Sequence, residues 1–390
     1  MKILMVSKAL VTGVYQKKLE ELARLPGVEL LAVVPPSWHE ERVGVLRLER
    51  RYTDGYRLVE LPMRFNGHHH IHFYPGLGRV IRDFRPDVLH VDEEPYNLVT
   101  FHATLLGRAV GARVVFFTWQ NLYRRYPPPF RLFELVNYRL AAAGVAGIQD
   151  AAEVLRRKGY RGRLEVIPQF GVDPDLFRPR PELRQPRGLP VIGYAGRLVP
   201  EKGVDVLIDA FARLRQRAEL HIIGTGIERT RLEMQAGALG VRDRVIFRGA
   251  VPAADMPEAL AGLDLLVIPS RTRPNWKEQF GRVIVEAMAC QVPVIGSDSG
   301  EIPNTIGDAG VVVPEGDAAA LAAALDDLLG HEAKRAALGR RARQRVLDHF
   351  TQRAIAERYY ALYRSLLPVG RSGEVWERLP GVGDTGRTPR

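Results

Sequence analysis

Two carboxylates and two cations stand out by type and spacing. Glu278 and Glu286 lie eight residues apart in "EQFGRVIVEAMAC" (278–290), with Gly281 between them. Read as one helix, Phe280, Val283, Ile284, Ala287 and Met288 take the i, i+3, i+4, i+7, i+8 positions of a core face. Both glutamates then point away from that face, about 80° apart around the axis and about 12 Å apart along it. Carboxylates at that separation could hold the two ends of one extended ligand, such as a sugar and a ribose joined by a diphosphate. Plainer readings exist: "NWKE" (275–278) fits a capping box with Asn275 as N-cap and Glu278 at N3, and Glu286 fits a solvated charge. Gly281 favours the ligand. A glycine early in a helix costs about 1 kcal/mol relative to alanine and lets backbone approach a bound molecule, and a helix start attracts phosphate.

The cations lie in "GYAGRLVPEKG" (193–203), where Gly196 and Gly203 bracket Arg197 and Lys202. Arginine grips phosphate oxygens through its fork and lysine supplies a compact charge. Together they suit a leaving diphosphate, whose developing charge needs stabilisation. The alternative is a basic loop closed by a Glu201–Lys202 contact.

These residues need a scaffold. Apolar runs at 2–7, 28–35, 87–92 and 112–119 alternate with helical stretches at 15–25, 77–84 and 96–110, with further strands expected at 144–150 and 163–169. A Pro/Arg-rich linker, "RPRPELRQPRGLP" (178–190), follows, and the alternation restarts with "PVIGYAGR", "ELHIIGTG", "RVIFRGA", "LDLLVIPS" and "VPVIGSD". Buried parallel strands joined by crossover helices give an α/β fold of two doubly wound, Rossmann-like domains facing across a cleft. The expected divisions are 1–183, completed by a crossover helix at 352–367, then 184–351, and a disordered tail at 368–390.

The chain's 390 residues suit two domains. No apolar run is long enough to span a bilayer, no signal peptide is visible at the N-terminus, and one cysteine, Cys290, excludes an internal disulfide. A cytoplasmic location is expected. The net charge of +11 is concentrated in the first half, and only eight of the 56 basic residues are lysine. That excess reads either as composition bias or as attraction to anionic lipid or phosphorylated substrates. Nucleic acid is not expected, since no nucleic-acid-binding signature is present.

In sequence order, "GRLVPEKGVDVLIDAF", "VIFRGAVP", "LDLLVIPS", "EQFGRVIVEAMACQVPVIGSDSGEIP" and "GDAGVVVPEGD" resemble the retaining GT-B glycosyltransferases of the family-4 type (glycosyl transferases group 1), to about residue 367. The resemblance implies transfer of a hexose-type sugar from a nucleoside diphosphate donor, UDP- or GDP-linked, to an acceptor hydroxyl with retained configuration and no metal or other cofactor. It implies that Glu278 binds the donor sugar, assisted by backbone N–H groups near Phe280 and Gly281, and that Glu286 binds the ribose. Arg197 and Lys202, beside Gly196, would neutralise the diphosphate. Gly13, in "KALVTGVY", would let the N-terminal domain approach the phosphates, although that loop lacks the usual paired glycines. Where many relatives carry histidine, this chain has Gln120, beside Trp119 and Asn121; glutamine hydrogen-bonds but takes up no proton near pH 7. A glycan or lipid-linked acceptor in cell-envelope or polysaccharide synthesis, with peripheral contact to anionic membrane, completes the expectation. The rival readings are another GT-B activity (a sugar-nucleotide epimerase or a glycan phosphorylase) and a non-catalytic nucleotide-sugar binder.

Other stretches compete for attention. "HHHIH" (68–72) invites a metal, but read as a strand it brings only alternate residues together, and acceptor binding is the second reading. "DVLHVDEEPYN" (87–97) sets His90, Asp92, Glu93 and Glu94 at a strand end, as acceptor ligands or as a helix-start cluster. "DPD" (173–175) reads as a structural turn rather than a metal motif. "GTGIER" (224–229) is an incomplete dinucleotide fingerprint, with Arg229 where the last glycine belongs.

Overall fold

A computed structural model describes residues 1–40, 44–184 and 188–368. Part of the Pro/Arg-rich linker and the expected disordered tail from residue 369 onward lie outside the described residues. The strands of the first half are β1 (Lys2–Val6), β2 (Glu29–Val34), β3 (Ser37–Glu40), β4 (Gly44–Arg47), β5 (Arg57–Glu60), β6 (Val88–Val91), β7 (Arg113–Thr118), β8 (Ala143–Ala146) and β9 (Arg163–Val166). Those of the second half are β10 (Val191–Ala195), β11 (Glu219–Ile223), β12 (Val245–Gly249), β13 (Leu265–Ile268), β14 (Val294–Ser297) and β15 (Val311–Val313). One sheet runs β5-β2-β1-β6-β7-β8-β9 and the other β12-β11-β10-β13-β14-β15. Every pairing in both is parallel. Their central strands are continuous apolar runs because helices cover both faces.

Each sheet winds outward from its first strand, then restarts on the other side of it. The direction reverses between β1 and β6, and between β10 and β13, which opens a crevice at the carboxyl ends of those strands. On one face of the second sheet, Leu207 and Phe211 pack with Leu321, Leu325 and Leu328. On the other, Ile284, Ala287 and Met288 pack with Ala342 and Val346. The Gln352–Ser365 helix returns to the first sheet, where Ile355, Tyr359, Leu362 and Tyr363 join Ile3, Met5, Val88 and Val115. The antiparallel β3–β4 hairpin was not expected from sequence. Among its described residues only Trp38 is buried, so it carries no apolar periodicity to read.

Candidate active site

The crevice of the second sheet lies between the loop after β10 and the loop after β13. Gly203 occupies the left-handed region at φ 65°, and a Cβ there would lie 1.9 Å from the Pro269 carbonyl oxygen. The two loops therefore meet only because this residue is glycine. Their contact brings Lys202 to Glu278. The Lys202 Nζ donates to Glu278 Oε2 at 2.5 Å, and the Ser270 hydroxyl donates to the same oxygen at 2.8 Å. The Trp276 ring lies 4.9 Å from Nζ. The loop is thus closed by Lys202–Glu278, not by Glu201–Lys202. Arg197 remains half-exposed and faces Glu201 at 3.7 Å.

The single helix expected from residue 275 is replaced by a loop and a shorter helix. Helix starts at Arg282 and ends at Ala289, with Gly281 as its N-cap at φ 62°. Glu278 lies in the preceding loop, so it is not at N3 of a capping box and the helical spacing to Glu286 does not apply. The physical cause is the pull of Lys202 and Ser270 on its carboxylate. Gly281 is consequently the residue that turns the chain into the helix, not a weak point inside it. The helix start has no side-chain cap, which leaves backbone N–H groups for an anion.

Glu286 is buried on that helix and accepts from Arg282 Nε at 2.7 Å. Burial raises its pKa, with Arg282 opposing. Arg282 also donates to the Tyr15 hydroxyl at 3.2 Å, and Tyr15 stacks on Phe170 with ring centroids 4.0 Å apart. Phe280 is a half-buried wedge between Trp119 and Phe350, at 6.4 and 5.8 Å between centroids. The segment bearing Glu278 is therefore also the seam between the two domains. Asn121 Nδ2 reaches the Lys277 carbonyl at 3.4 Å, Gln279 Nε2 the Trp119 carbonyl at 3.2 Å, and Lys277 Nζ Asp150 at 3.2 Å. Glu301 accepts from the Gln149 N–H at 3.2 Å, and burial raises its pKa to about 6.

In the first domain Gly13 is buried, and its N–H donates to Glu49 Oε2 at 2.8 Å. A phosphate approaching that amide must displace a carboxylate. The strap carrying Glu49 is pinned to the Gly13 loop. Glu49 N–H donates to the Val11 carbonyl at 2.9 Å, and Gln16 bridges the Leu10 carbonyl to the Arg51 N–H.

Gln120 is locked rather than free. Its Oε1 accepts from Lys158 Nζ at 2.9 Å while its Nε2 is buried without a partner. Of the cluster expected at the cleft, His90, Asp92 and Glu93 are buried at the carboxyl end of β6, and Glu94 is half-buried. His90 is fully buried and shares a hydrogen bond with Tyr363 of the returning helix. Asp92 accepts from Ser7 Oγ at 3.0 Å. Glu93 pairs with Lys8. Glu94 accepts from the Trp119 N–H at 2.7 Å and from Thr118 Oγ1, yet burial outweighs both and raises its pKa to about 7.

Burial lowers the pKa of His90 to about 4, and that of His72 likewise. The unfolded chain takes up these protons near pH 6.5, the folded chain only near pH 4. Stability is therefore complete above pH 6.5 and falls as pH drops toward 4. Glu94 acts with the opposite sign between about 4.5 and 7. Thermal unfolding across this range should show a smaller acid-side loss for His90→Leu than for the parent, each measured relative to its own midpoint at pH 7.5. Parallel curves would show that His90 does not titrate in that window.

The 68–72 segment forms turns, not a strand, because His72 is buried with Nδ1 on the His68 carbonyl. Among the described residues no three His, Cys, Asp or Glu side chains are grouped to hold a metal. Asp173 Oδ1 accepts from the N–H groups of Asp175 and Leu176, a structural turn. Sequence reasoning passed over Ser270, Arg282, Glu49 and Lys158. Arg282 could have been found as the i−4 partner of Glu286, and Lys158 as one of only eight lysines in an arginine-rich chain.

Residues 178–345 match the model of the family described as glycosyl transferases group 1. Over 209 residues the chain is 38% identical to a GDP-mannose-dependent alpha-(1-6)-phosphatidylinositol monomannoside mannosyltransferase of Mycolicibacterium smegmatis, covering 50% of this chain and 54% of that protein. The chain thus spans about half the length of that relative. It is 32% identical to the lipopolysaccharide core biosynthesis glycosyltransferase LpsE of Rhizobium meliloti, covering 61% of this chain and 67% of that one. Among solved structures, a glycosyltransferase from Rickettsia africae superposes with a TM-score of 0.72 at 19% identity, covering 95% and 99% of the two chains. Anabaena HepE in complex with UDP and glucose gives 0.65 at 21%, covering 94% and 100%.

Proposed function

The chain belongs to the glycosyl transferases group 1 and has the GT-B fold of two Rossmann-like domains, and from that membership we propose that it transfers a hexose-type sugar from a nucleoside diphosphate donor to an acceptor hydroxyl with retained configuration. The observation that carries this is the Lys202–Glu278 pair at the reversal point of the second sheet. One group is a cation for the diphosphate and the other a buried carboxylate for the sugar hydroxyls, held ready by Ser270.

On this reading Lys202 and Arg197 stabilise the charge that develops on the leaving diphosphate. The uncapped start of the Arg282–Ala289 helix, with the backbone at Phe280 and Gly281, faces the same anion. Glu286 turns from Arg282 to the ribose hydroxyls. Gly196 leaves room beside Arg197, and Gly13 meets the phosphates once Glu49 withdraws. Gln120 and Asn121 orient the sugar or the acceptor from the other wall. Gln120 takes no proton, so the acceptor's proton passes to the leaving phosphate. No residue in this scheme is a metal ligand.

The mycobacterial relative's name specifies a GDP-mannose donor and a phosphatidylinositol-linked acceptor, which supports a GDP- or UDP-sugar and a lipid- or glycan-borne hydroxyl here. The chain's +11 net charge suits a peripheral position on anionic membrane; among the described residues no helix is long and apolar enough to cross one. The test is thermal unfolding against a panel of UDP- and GDP-sugars, with slow donor hydrolysis as second readout. At a ligand concentration of about 100 Kd a true donor stabilises by about 2.7 kcal/mol, a shift of several degrees. A panel in which no nucleoside diphosphate sugar shifts the midpoint rejects the proposal.

A further inference from the structure

Behind Gln120, on the N-terminal wall, lies an aromatic group that no role above uses. Tyr96 and Tyr126 stack with centroids 4.1 Å apart. His70 meets both edge-on, at 5.5 and 5.6 Å, and packs on Phe130 at 5.4 Å. The His70 Nδ1 is engaged with Asn97 Oδ1 at 3.2 Å, which fixes the ring. Tyr126 and His70 are half-buried, so part of each reaches solvent, while Tyr96 forms the buried backing.

Short steps connect this group to the donor end. Lys158 Nζ lies 5.1 Å from the Tyr126 centroid and 2.9 Å from Gln120 Oε1. The residue after Gln120 is Asn121, which touches the Lys277 carbonyl, and Lys277 precedes Glu278. Lys158 and Gln120 thus link the aromatic group to the seam beside the carboxylate assigned to the donor sugar.

We propose that Tyr126, backed by Tyr96 and flanked by His70 and Gln120, is the acceptor subsite and takes a neutral six-membered polyol ring, a pyranose or a cyclitol. This rests on the reading of the chain as a sugar transferase. The face of a tyrosine ring is electron-rich and receives the C–H face of such a ring. Gln120 Nε2 lacks a protein partner and is a donor for a ring hydroxyl. A phosphate fits less well, because Lys158, the cation over the Tyr126 ring, is already paired with Glu134. The geometry also gives the His70 part of the histidine-rich stretch a use other than metal binding.

The test is saturation-transfer NMR on the full chain with methyl α-D-mannopyranoside and with myo-inositol, in the presence of GDP or UDP. The parent should show transfer to at least one probe, Tyr126→Ala should lose it by fivefold or more, and Tyr126→Phe should retain it. A single cooperative thermal transition and unchanged nucleoside diphosphate binding, both expected of Tyr126→Ala, separate this from misfolding. Equal transfer in Tyr126→Ala, or no transfer to either probe by the parent, overturns the subsite. Donor hydrolysis by the parent is scored separately, so the subsite can fail while the transferase reading stands.

Discussion

Replacing Glu278 by alanine should lower transfer about 100-fold while nucleoside diphosphate affinity holds or improves. The carboxylate holds Lys202 and Ser270 in the free protein, and on the proposed reading it gives its oxygens to the donor sugar. A hydrogen bond to a charged group contributes about 1.5–3 kcal/mol, which is about 10- to 150-fold in rate when it is lost in the transition state. The nucleotide end behaves differently. Freed from Glu278, Lys202 becomes a less neutralised cation facing the diphosphate, so GDP or UDP should bind as well as before or several-fold tighter. Glu278→Gln should fall between, since an amide oxygen still accepts from Ser270. Lys202→Met should weaken nucleoside diphosphate binding and turnover together. Calorimetric titration with the free diphosphate beside steady-state kinetics distinguishes the cases. If Glu278→Ala loses diphosphate affinity as steeply as it loses turnover, the carboxylate is a clamp on the loop and not a sugar ligand.

The strand alternation was legible because buried parallel strands are unbroken apolar runs, and "KILMV" or "VVFFT" have no other stable place. The reversal points followed from it, and with them the two loops that carry Lys202 and Glu278. The local conformation of the second loop was not legible. "NWKE" reads as a capping box, but Glu278 is drawn out of the helix by a partner 76 residues upstream. Gly281 reads as a weak residue inside a helix, but its positive φ starts the helix, which no periodicity reveals. His90 shows the same limit. A histidine at a strand end looks like a ligand, and only the return of the chain 273 residues later, bringing Tyr363, makes it a buried contact. Local chemistry can be read from spacing, whereas its exposure depends on which distant element covers it.

Lys158→Met should be the most destabilising single change in the N-terminal wall. The Lys158 side chain is 1% exposed and Glu134 fully buried. Glu134 also receives Arg131 and the Tyr138 hydroxyl, the latter at 3.0 Å. Removing one partner of a buried pair leaves a charge out of water and costs about 3–5 kcal/mol; with Arg131 still in place the lower end applies. Two further losses follow, the cation facing Tyr96 and Tyr126 and the donor on Gln120 Oε1. The double variant Lys158→Met with Glu134→Leu removes the stranded charge as well and should recover most of the stability, leaving the cost of Tyr138 and Arg131. Its Gln120 amide stays unanchored, so stability should return without acceptor KM returning. Urea unfolding of the three proteins, paired with acceptor kinetics on the double variant, reads the two effects separately. Recovery of both together would mean that Lys158 serves only Glu134. Recovery of neither would place the penalty in lost packing of the lysine stem rather than in the stranded carboxylate.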